Sequence, residues 1–380
     1  MTRKHWISIS QKCNNKCIFC LDSENQVNGK FKEKQEVIQD MAVGIKKKAT
    51  RIILSGGEAS IHPKFIEFIS IAKKMGYQEV QTITNGRMFA YLPFLEKAVK
   101  AGLSEITFSL HTHKPLLFDK LTGINGSYKQ AIAGLANANK FKALIKNIDI
   151  VINKYNYDHI YNIIDFFSSK FGIYEYDLLQ IIPMGRARVN KKELFFDFDL
   201  AMKYLRKVFE LAKNDKRFVI WTNRFPAKYL EGYEFLIQDP NKLLDDIKGA
   251  QEMFNNYFNK DQLFGCYKKE VCAVCYLKDF CNYVIWLKKN TDNSIENKIL
   301  NRMNPAKCLP DSNNLKKINI NFIKDGKINV IKFAKFYIDN LYKIKSTRCV
   351  NCKVDCSCDG IKINHIKDEG FKIIKPINYD

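Results

Sequence analysis

The sequence predicts an α/β fold: a partial (β/α)6 barrel of the TIM type, followed by a smaller cysteine-rich α+β domain. Three observations predict it. Short apolar runs alternate with segments of helical periodicity six times in the first half of the chain. Each run is apolar enough to be covered on both faces, as in a parallel sheet wrapped by right-handed crossovers. Residues foreign to a core follow directly after the runs, where the carboxyl ends of parallel strands gather chemistry.

The elements justify this in order. His5 to Ser10 alternates as a strand, and after a cysteine-bearing loop Val37, Ile38, Met41 and Ile45 recur at helical spacing. Arg51 to Leu54 is a second strand, ending in Ser55-Gly56-Gly57-Glu58; Pro63 opens a helix that turns Ile66, Ile69 and Ala72 inward and stops at Gly76. Val80 to Thr84 ends at Asn85-Gly86 before a helix from Pro93 to Gly102, and Ile106 to Leu110 ends at His111 before a helix near Tyr128 to Ala138. Ile148 to Ile152 and Leu178 to Ile182 are strands five and six, with a helix around Ile160 to Phe167 between them. The barrel is read over 1–215 and the second domain over 216–380. That second part opens on an apolar strand, Phe218 to Trp221, and carries a hairpin in which Ile318, Ile320 and Phe322 alternate up to Asp325-Gly326, with Ile328 and Val330 alternating beyond.

The 380 residues, 46% of them apolar, suffice for two domains with full cores. No run of about 18 apolar residues offers a membrane span, and Met1 to Lys12 does not read as a signal peptide, so the expected location is the cytoplasm. In a reducing compartment the 12 cysteines are better explained by metal binding or catalysis than by disulfides. The formal charge of +22 is spread along the chain, as in Lys46, Lys47 and Lys48, which favours a solvated surface over a nucleic-acid footprint.

Cys13-x3-Cys17-x2-Cys20 places three soft thiolates in one loop, enough to hold an iron-sulfur cube but one ligand short of closing it. A structural zinc site would take four ligands, so the shortfall favours a cluster whose last iron accepts a small-molecule chelate. Here the sequence resembles the radical S-adenosylmethionine superfamily, whose signature is this spacing after the first strand of a partial barrel; the likeness covers about residues 5 to 185. It implies a 4Fe-4S cluster on Cys13, Cys17 and Cys20, and S-adenosylmethionine as cofactor. It further implies that Gly56, Gly57 and Glu58 meet the methionine ammonium, that Phe19 presents its backbone to adenine, that Ser109 and Asn153 bind ribose hydroxyls, and that Ile182 to Gly185 line the adenine edge. Asn85 joins this cofactor-binding set. Ordinary strand-end polarity explains Ser109 and Asn153 equally well.

Cys272-x2-Cys275-x5-Cys281, preceded by Cys266, resembles the central part of the auxiliary-cluster domain called SPASM, although the further cysteine that pattern expects is missing and Ile285 stands nearby. Cys349, Cys352, Cys356 and Cys358 form a second compact group, with Cys308 left over as a buried thiol or a substituting ligand. Four thiolates serve an iron-sulfur cluster or zinc, so one or two auxiliary sites are expected. His111 and His113 suit proton exchange at neutral pH or a structural duty. Trp221 to Tyr233, with Arg224, is either a substrate wall or core.

The leading expectation is an enzyme that cleaves S-adenosylmethionine reductively and abstracts hydrogen from a peptide or protein, as the cysteine groups resemble those of maturases, with an electron donor such as ferredoxin or flavodoxin. An RNA or a small cofactor precursor is the alternative substrate. A zinc-bearing nucleic-acid-binding module without catalysis is the alternative of another class.

Overall fold

A computed structural model describes residues 3–260, 262–264, 272, 275–290, 294–303, 308, 320–324 and 327–377. The chain divides into two compact units, Met1–Asn223 and Arg224–Asp380.

The first unit is one parallel sheet of seven strands in sequential order: β1 (Lys4–Ser10), β2 (Arg51–Gly56), β3 (Glu79–Thr84), β4 (Glu105–Ser109), β5 (Ile145–Ile152), β6 (Glu175–Gln180) and β7 (Val219–Asn223). Six strands were expected; the seventh is the run Phe218 to Trp221, which pairs with β6 through Tyr176 and Ile220 instead of opening the second domain. Strand six also lies earlier than its apolar residues suggest. Tyr176 anchors it by donating its buried hydroxyl to Ile164 O and Ile173 O, while Ile181 and Ile182 leave the sheet for the following loop.

Helices Lys34–Lys46, Phe65–Lys74, Leu92–Ala101, Ser127–Ala138, Ile160–Phe171 and Phe198–Asn214 fill the crossovers, and an unexpected helix, Pro115–Thr122, precedes that at Ser127. In the helix after β2, Ile69 and Ala72 are buried as expected, together with Phe65 and Phe68, while Ile66 is only half-buried. Alternation along the strands puts Ile52, Leu54, Ile148, Ile150 and Ile152 under the helices. Side chains of the opposite face include Ser8, Ser55, Thr107, Ser109, Asp149 and Asp177. That concave face is polar, unlike the packed interior of a closed barrel.

The second unit has a core of its own, built on Phe254, Phe280, Leu287, Phe333 and Tyr337 from the helices Gln251–Lys260, Lys278–Lys289 and Val330–Asn340, with Ile295 and Ile299 of the helix Ile295–Arg302 in the same core. The expected hairpin is present as the antiparallel pair Ile323–Lys324 and Lys327–Ile328; its turn, Asp325-Gly326, lies outside the described residues, and Val330 begins a helix instead of extending the strand. A second hairpin pairs Lys343–Ile344 with Ile361–Lys362. Among the described residues, no helix is long and apolar enough to cross a membrane.

Candidate active site

The loop after β1 carries Cys13, Cys17 and Cys20 and is fastened from four strand ends. From β2, Gly57 N donates to Ser10 O at 2.6 Å and Glu58 N to Lys12 O at 2.9 Å. From beyond β3, Asn85 Nδ2 donates to Asn14 Oδ1 at 2.6 Å, and Arg87 Nη1 reaches Asn15 Oδ1 at 2.8 Å and Asn14 O. The helix that follows β4 accepts Lys16 N and Ile18 N on Thr122 O and Leu121 O. After β6, Arg186 Nε donates to Cys17 O at 2.8 Å, Arg186 N to Cys20 O at 3.0 Å, and Asn190 Nδ2 to Ile18 O at 2.9 Å. Fixed backbone groups thus set the position of all three cysteines.

The three thiols are half-buried, and desolvation raises the pKa of each, Cys13 to about 11 and Cys17 further still; Cys13 also feels Glu58 and Cys20, and Cys17 feels both other thiols. The Arg186 guanidinium opposes this at all three. Asn15 N donates to Cys13 Sγ at 3.3 Å, and Gln26 Nε2, itself near Arg186, donates to Cys20 Sγ at 3.4 Å. Thiols that burden one another, met by N–H donors and one cation, are a donor set that a bound cationic iron core would ionise. Among the described residues no three ligand side chains stand at the spacing of a single ion; a cube is held by its corners, wider apart. The residues fit a three-cysteine cluster.

Gly56 and Gly57 bring β2 against this loop. Gly56 has a φ of +130°, and a Cβ on Gly57 would lie 2.7 Å from Gln11 O and closer still to Lys12 O. Close backbone approach therefore explains the pair even without a ligand. Glu58 is 2% exposed: Oε1 accepts from Ser60 N, Ser60 Oγ and Thr84 Oγ1, while Oε2 accepts from Asn85 N at 2.7 Å. Burial raises its pKa and these bonds pull it back.

Phe19 is buried with Leu121, Ile181, Ala187 and Leu194, its ring edge-on to His111 at 4.7 Å. Ser109 ends β4 beside Asp149 in register. Asn153 is fully buried and builds the turn after β5, donating Nδ2 to Val151 O and accepting from Tyr155 N. His111 is buried too, accepting from Val151 N, and burial pushes its pKa down to about 3, so it is neutral at pH 7. His113 stacks on Phe166 at 5.4 Å. Arg224, expected with the aromatic wall, forms an ion pair with Asp246 at 2.8 Å within the second unit.

Sequence reasoning missed Arg186, Asn190, Gln26 and Arg87. For Arg186 a signal exists: Gly185-Arg186 lies a few residues beyond the carboxyl end of β6, and Gly185, at φ +52°, has no room for a Cβ beside Cys20 O and Leu21 O. It also missed Asp149 and Asp177, which sit side by side across β5 and β6. Desolvation and then the charges of Asp177 and Glu175 push the Asp149 carboxyl well above its ordinary 3.8. A raised carboxyl pKa adds stability below 3.8 that is lost as pH climbs through the folded-state value. The ligand-free protein should therefore lose melting temperature from about pH 4 toward neutrality, and Asp149→Asn should flatten that slope and add about 2–4 °C at pH 7. Thermal melts across this range check it; an unchanged slope means the pair is not repulsive.

Of the later cysteines, Cys266 lies outside the described residues. Cys272, Cys275 and Cys281 are half-buried, with Cys281 in the first turn of the helix Lys278–Lys289. Cys352 is buried, Cys308, Cys349 and Cys358 are half-buried, and Cys356 is exposed.

Residues 7–167 match the family model of the Radical SAM superfamily, whose cofactors are a 4Fe-4S cluster and S-adenosylmethionine. Similar curated proteins include a probable GTP 3',8-cyclase of Saccharolobus islandicus (strain Y.N.15.51 / Yellowstone #2), 26% identical over 187 residues, 49% of this chain and 59% of that one. Another, of Sulfolobus acidocaldarius, is 29% identical over 191 residues, 50% of this chain and 58% of its own. The chain thus spans less than two thirds of the length of these relatives. Among solved structures, SuiB of Streptococcus suis bound to precursor peptide SuiA aligns at TM-score 0.47 and 15% identity, covering 63% of this chain and 52% of that one. The FeFe-hydrogenase maturase HydG of Carboxydothermus hydrogenoformans aligns at TM-score 0.46 and 13% identity, covering 78% and 76%.

Proposed function

We propose that this protein is an enzyme that cleaves S-adenosylmethionine reductively and uses the carbon radical to take a hydrogen atom from a substrate carrying a positive charge, a peptide or protein side chain being the best fit. The observation that carries the chemistry is the three-cysteine loop fastened from four strand ends and opposed by Arg186. When bound, a 4Fe-4S cluster supplies the electron that breaks the bond between sulfur and the ribose 5'-carbon. Cys13, Cys17 and Cys20 would hold three irons, and Arg186 offsets their charge. Gly56 and Gly57 would bring backbone carbonyls to the methionine ammonium. Glu58 would meet it through Oε2, the oxygen with a single donor among the described bonds, since a carboxylate offers about four acceptor sites. Phe19 and Ser109 are the positions for adenine and ribose. Asn85 and Asn153 act by shaping the walls, their side chains being engaged with Asn14 and with the β5 turn.

The substrate reading rests on Asp149 and Asp177. Two like charges on adjacent strands of the concave face repel each other and a triphosphate alike, whereas an ammonium or guanidinium between them relieves the repulsion. This favours a lysine- or arginine-bearing peptide over the GTP named for the relatives. The test is anaerobic incubation with reductant and S-adenosylmethionine, measuring 5'-deoxyadenosine with a basic peptide pool or with GTP. Stimulation by the basic pool, weakened in Asp149→Asn, is expected; stimulation by GTP alone would overturn the substrate class, and no cleavage under any condition would overturn the chemistry.

A further inference from the structure

Beside the third cysteine of the loop after β1, three side chains stand in line: Arg186 Nη2 donates to Gln26 Oε1 at 3.0 Å, and Gln26 Nε2 donates to Cys20 Sγ at 3.4 Å. Chemistry fixes the direction of this line. A guanidinium carries donors and no acceptor, so it meets the oxygen end of the Gln26 amide and leaves the N–H end for sulfur. A cation on the oxygen of an amide polarises it, which makes the N–H presented to Cys20 a stronger donor. The positive charge of Arg186 is thereby expressed at Cys20 through the intervening amide.

Both ends of the line are held by backbone. Gly185, where a Cβ would meet Cys20 O and Leu21 O, brings the start of the short helix Gly185–Val189 against the cysteine loop. Arg186 N then donates to Cys20 O at 3.0 Å and to the buried Ser23 Oγ at 2.8 Å, and Arg186 Nε to Cys17 O at 2.8 Å. Ser23 opens the one-turn helix Ser23–Gln26, which carries Gln26 at its end. Gln26 and Arg186 are half-buried, so water competes only in part for their bonds. At Cys13 the donor is a backbone amide, Asn15 N at 3.3 Å, which every residue but proline supplies. Cys20 takes the Asp22 amide in the same way, and Gln26 in addition. The loop is already fastened from four strand ends without this added bond, so holding the fold does not explain it.

We propose that Gln26, held by Arg186, is a positioning residue that sets the reduction potential at the triad Cys13, Cys17 and Cys20 by stabilising Cys20 Sγ when it is most negative. The inference rests on the three-cysteine cluster reading and goes beyond it, since that reading needs only the three thiolates. Hydrogen bonds to the sulfurs of an iron-sulfur centre favour its reduced, more negative form and raise its potential. The step concerned is the uptake of one electron from a low-potential one-electron donor, which is itself oxidised by one electron. No bond forms or breaks in it, and no proton moves. A side-chain bond to a charged sulfur is a strong one, so its removal is expected to make reduction about tenfold less favourable, a fall of about 59 mV for one electron.

The test is a dithionite titration of the full-length protein, purified anaerobically and followed by electron paramagnetic resonance, with iron per chain measured on the same samples. The signal of the triad is the one that Cys17→Ala lacks. Gln26→Met keeps the side chain's length and removes the donor; it is expected to lower the midpoint by the tenfold equivalent with iron unchanged. Gln26→Glu, which sets a carboxylate against the sulfur, is expected to lower it further. Asn25→Ala, exposed on the same turn, is expected to leave it where it is. A parental midpoint in Gln26→Met at equal iron overturns the proposal, and so does loss of iron in both Gln26 variants, which would assign Gln26 to holding the cluster. A parent with no signal that depends on Cys17 overturns the cluster reading itself, a failure visible before any Gln26 variant is made. A second measurement uses the unsubstituted protein carrying nitrogen-15 in its glutamine side chains alone. Pulsed resonance is expected to show that nitrogen coupled to the reduced centre, and Gln26→Met to abolish the coupling; no coupling in the parent overturns the proposal.

Discussion

Cys17→Ala is expected to reduce 5'-deoxyadenosine formation to background and to remove about four irons per chain, while leaving the melting temperature within a few degrees of the parent. Cys17 is the thiol most strongly raised by desolvation, so it has the most to gain from a bound cation. Two remaining thiolates cannot hold three corners of a cube. The backbone is a different matter: Cys17 O keeps its bond from Arg186 Nε, and the neighbouring Lys16 N and Ile18 N keep theirs to Thr122 O and Leu121 O. Alanine removes one half-buried sulfur and no hydrogen-bonded hydroxyl or amide, a small truncation with a cost of about 1 kcal/mol. A loss of turnover of about 10³-fold or more corresponds to at least about 4 kcal/mol of barrier, so activity and stability separate cleanly. Anaerobic iron analysis, product chromatography and a thermal melt on one preparation decide it; cofactor cleavage surviving in a variant without the cluster's iron would sink the assignment.

The residues of the site that bear chemistry are local in sequence, and that is why they were legible. Cys13, Cys17 and Cys20 declare themselves by spacing, and Gly56-Gly57-Glu58 by its place after an apolar run. The residues that hold them act over long separations that no window contains: Arg186 binds Cys17 across 169 positions and Asn190 binds Ile18 across 172. The strands were legible where apolar residues run together or alternate, as in Ile52 to Leu54 and Ile148 to Ile152. β6 was misplaced because Glu175 and Asp177 occupy its concave face, breaking the apolar run that a covered strand should show. β7 is an edge strand with Trp221 57% exposed, so its sequence reads the same whether it closes one unit or opens the next. In the second unit the cysteine group Cys349 to Cys358 was visible as a cluster, but spacing does not give burial, and burial sets Cys356 apart as the exposed member.

Gly57→Ala is expected to lower cluster occupancy and 5'-deoxyadenosine formation by about a hundredfold or more, with a loss of about 2–4 kcal/mol of stability, although it adds one methyl group. The backbone at Gly57 is not in the left-handed region, so the effect is purely steric. The added Cβ would lie 2.7 Å from Gln11 O, 2.8 Å from Lys12 C and nearer again to Lys12 O, all backbone atoms with no rotamer to yield. Relief requires β2 and the cysteine loop to part, which lengthens the bonds from Gly57 N to Ser10 O and from Glu58 N to Lys12 O, each worth about 0.5–1.5 kcal/mol when intact. Lys12 adjoins Cys13, so the same displacement moves one corner of the cluster site, and a shift of about 1 Å in a reacting geometry costs about 10²-fold. Gly249 is the control: it ends the helix Leu243–Gly249 with nothing within 4 Å of a Cβ, so Gly249→Ala should leave both readouts unchanged. If Gly57→Ala retained full iron and full turnover while Gly249→Ala behaved identically, close packing of β2 on the cysteine loop would not be what positions the site. Loss of stability with full activity would instead assign the glycine to the fold alone.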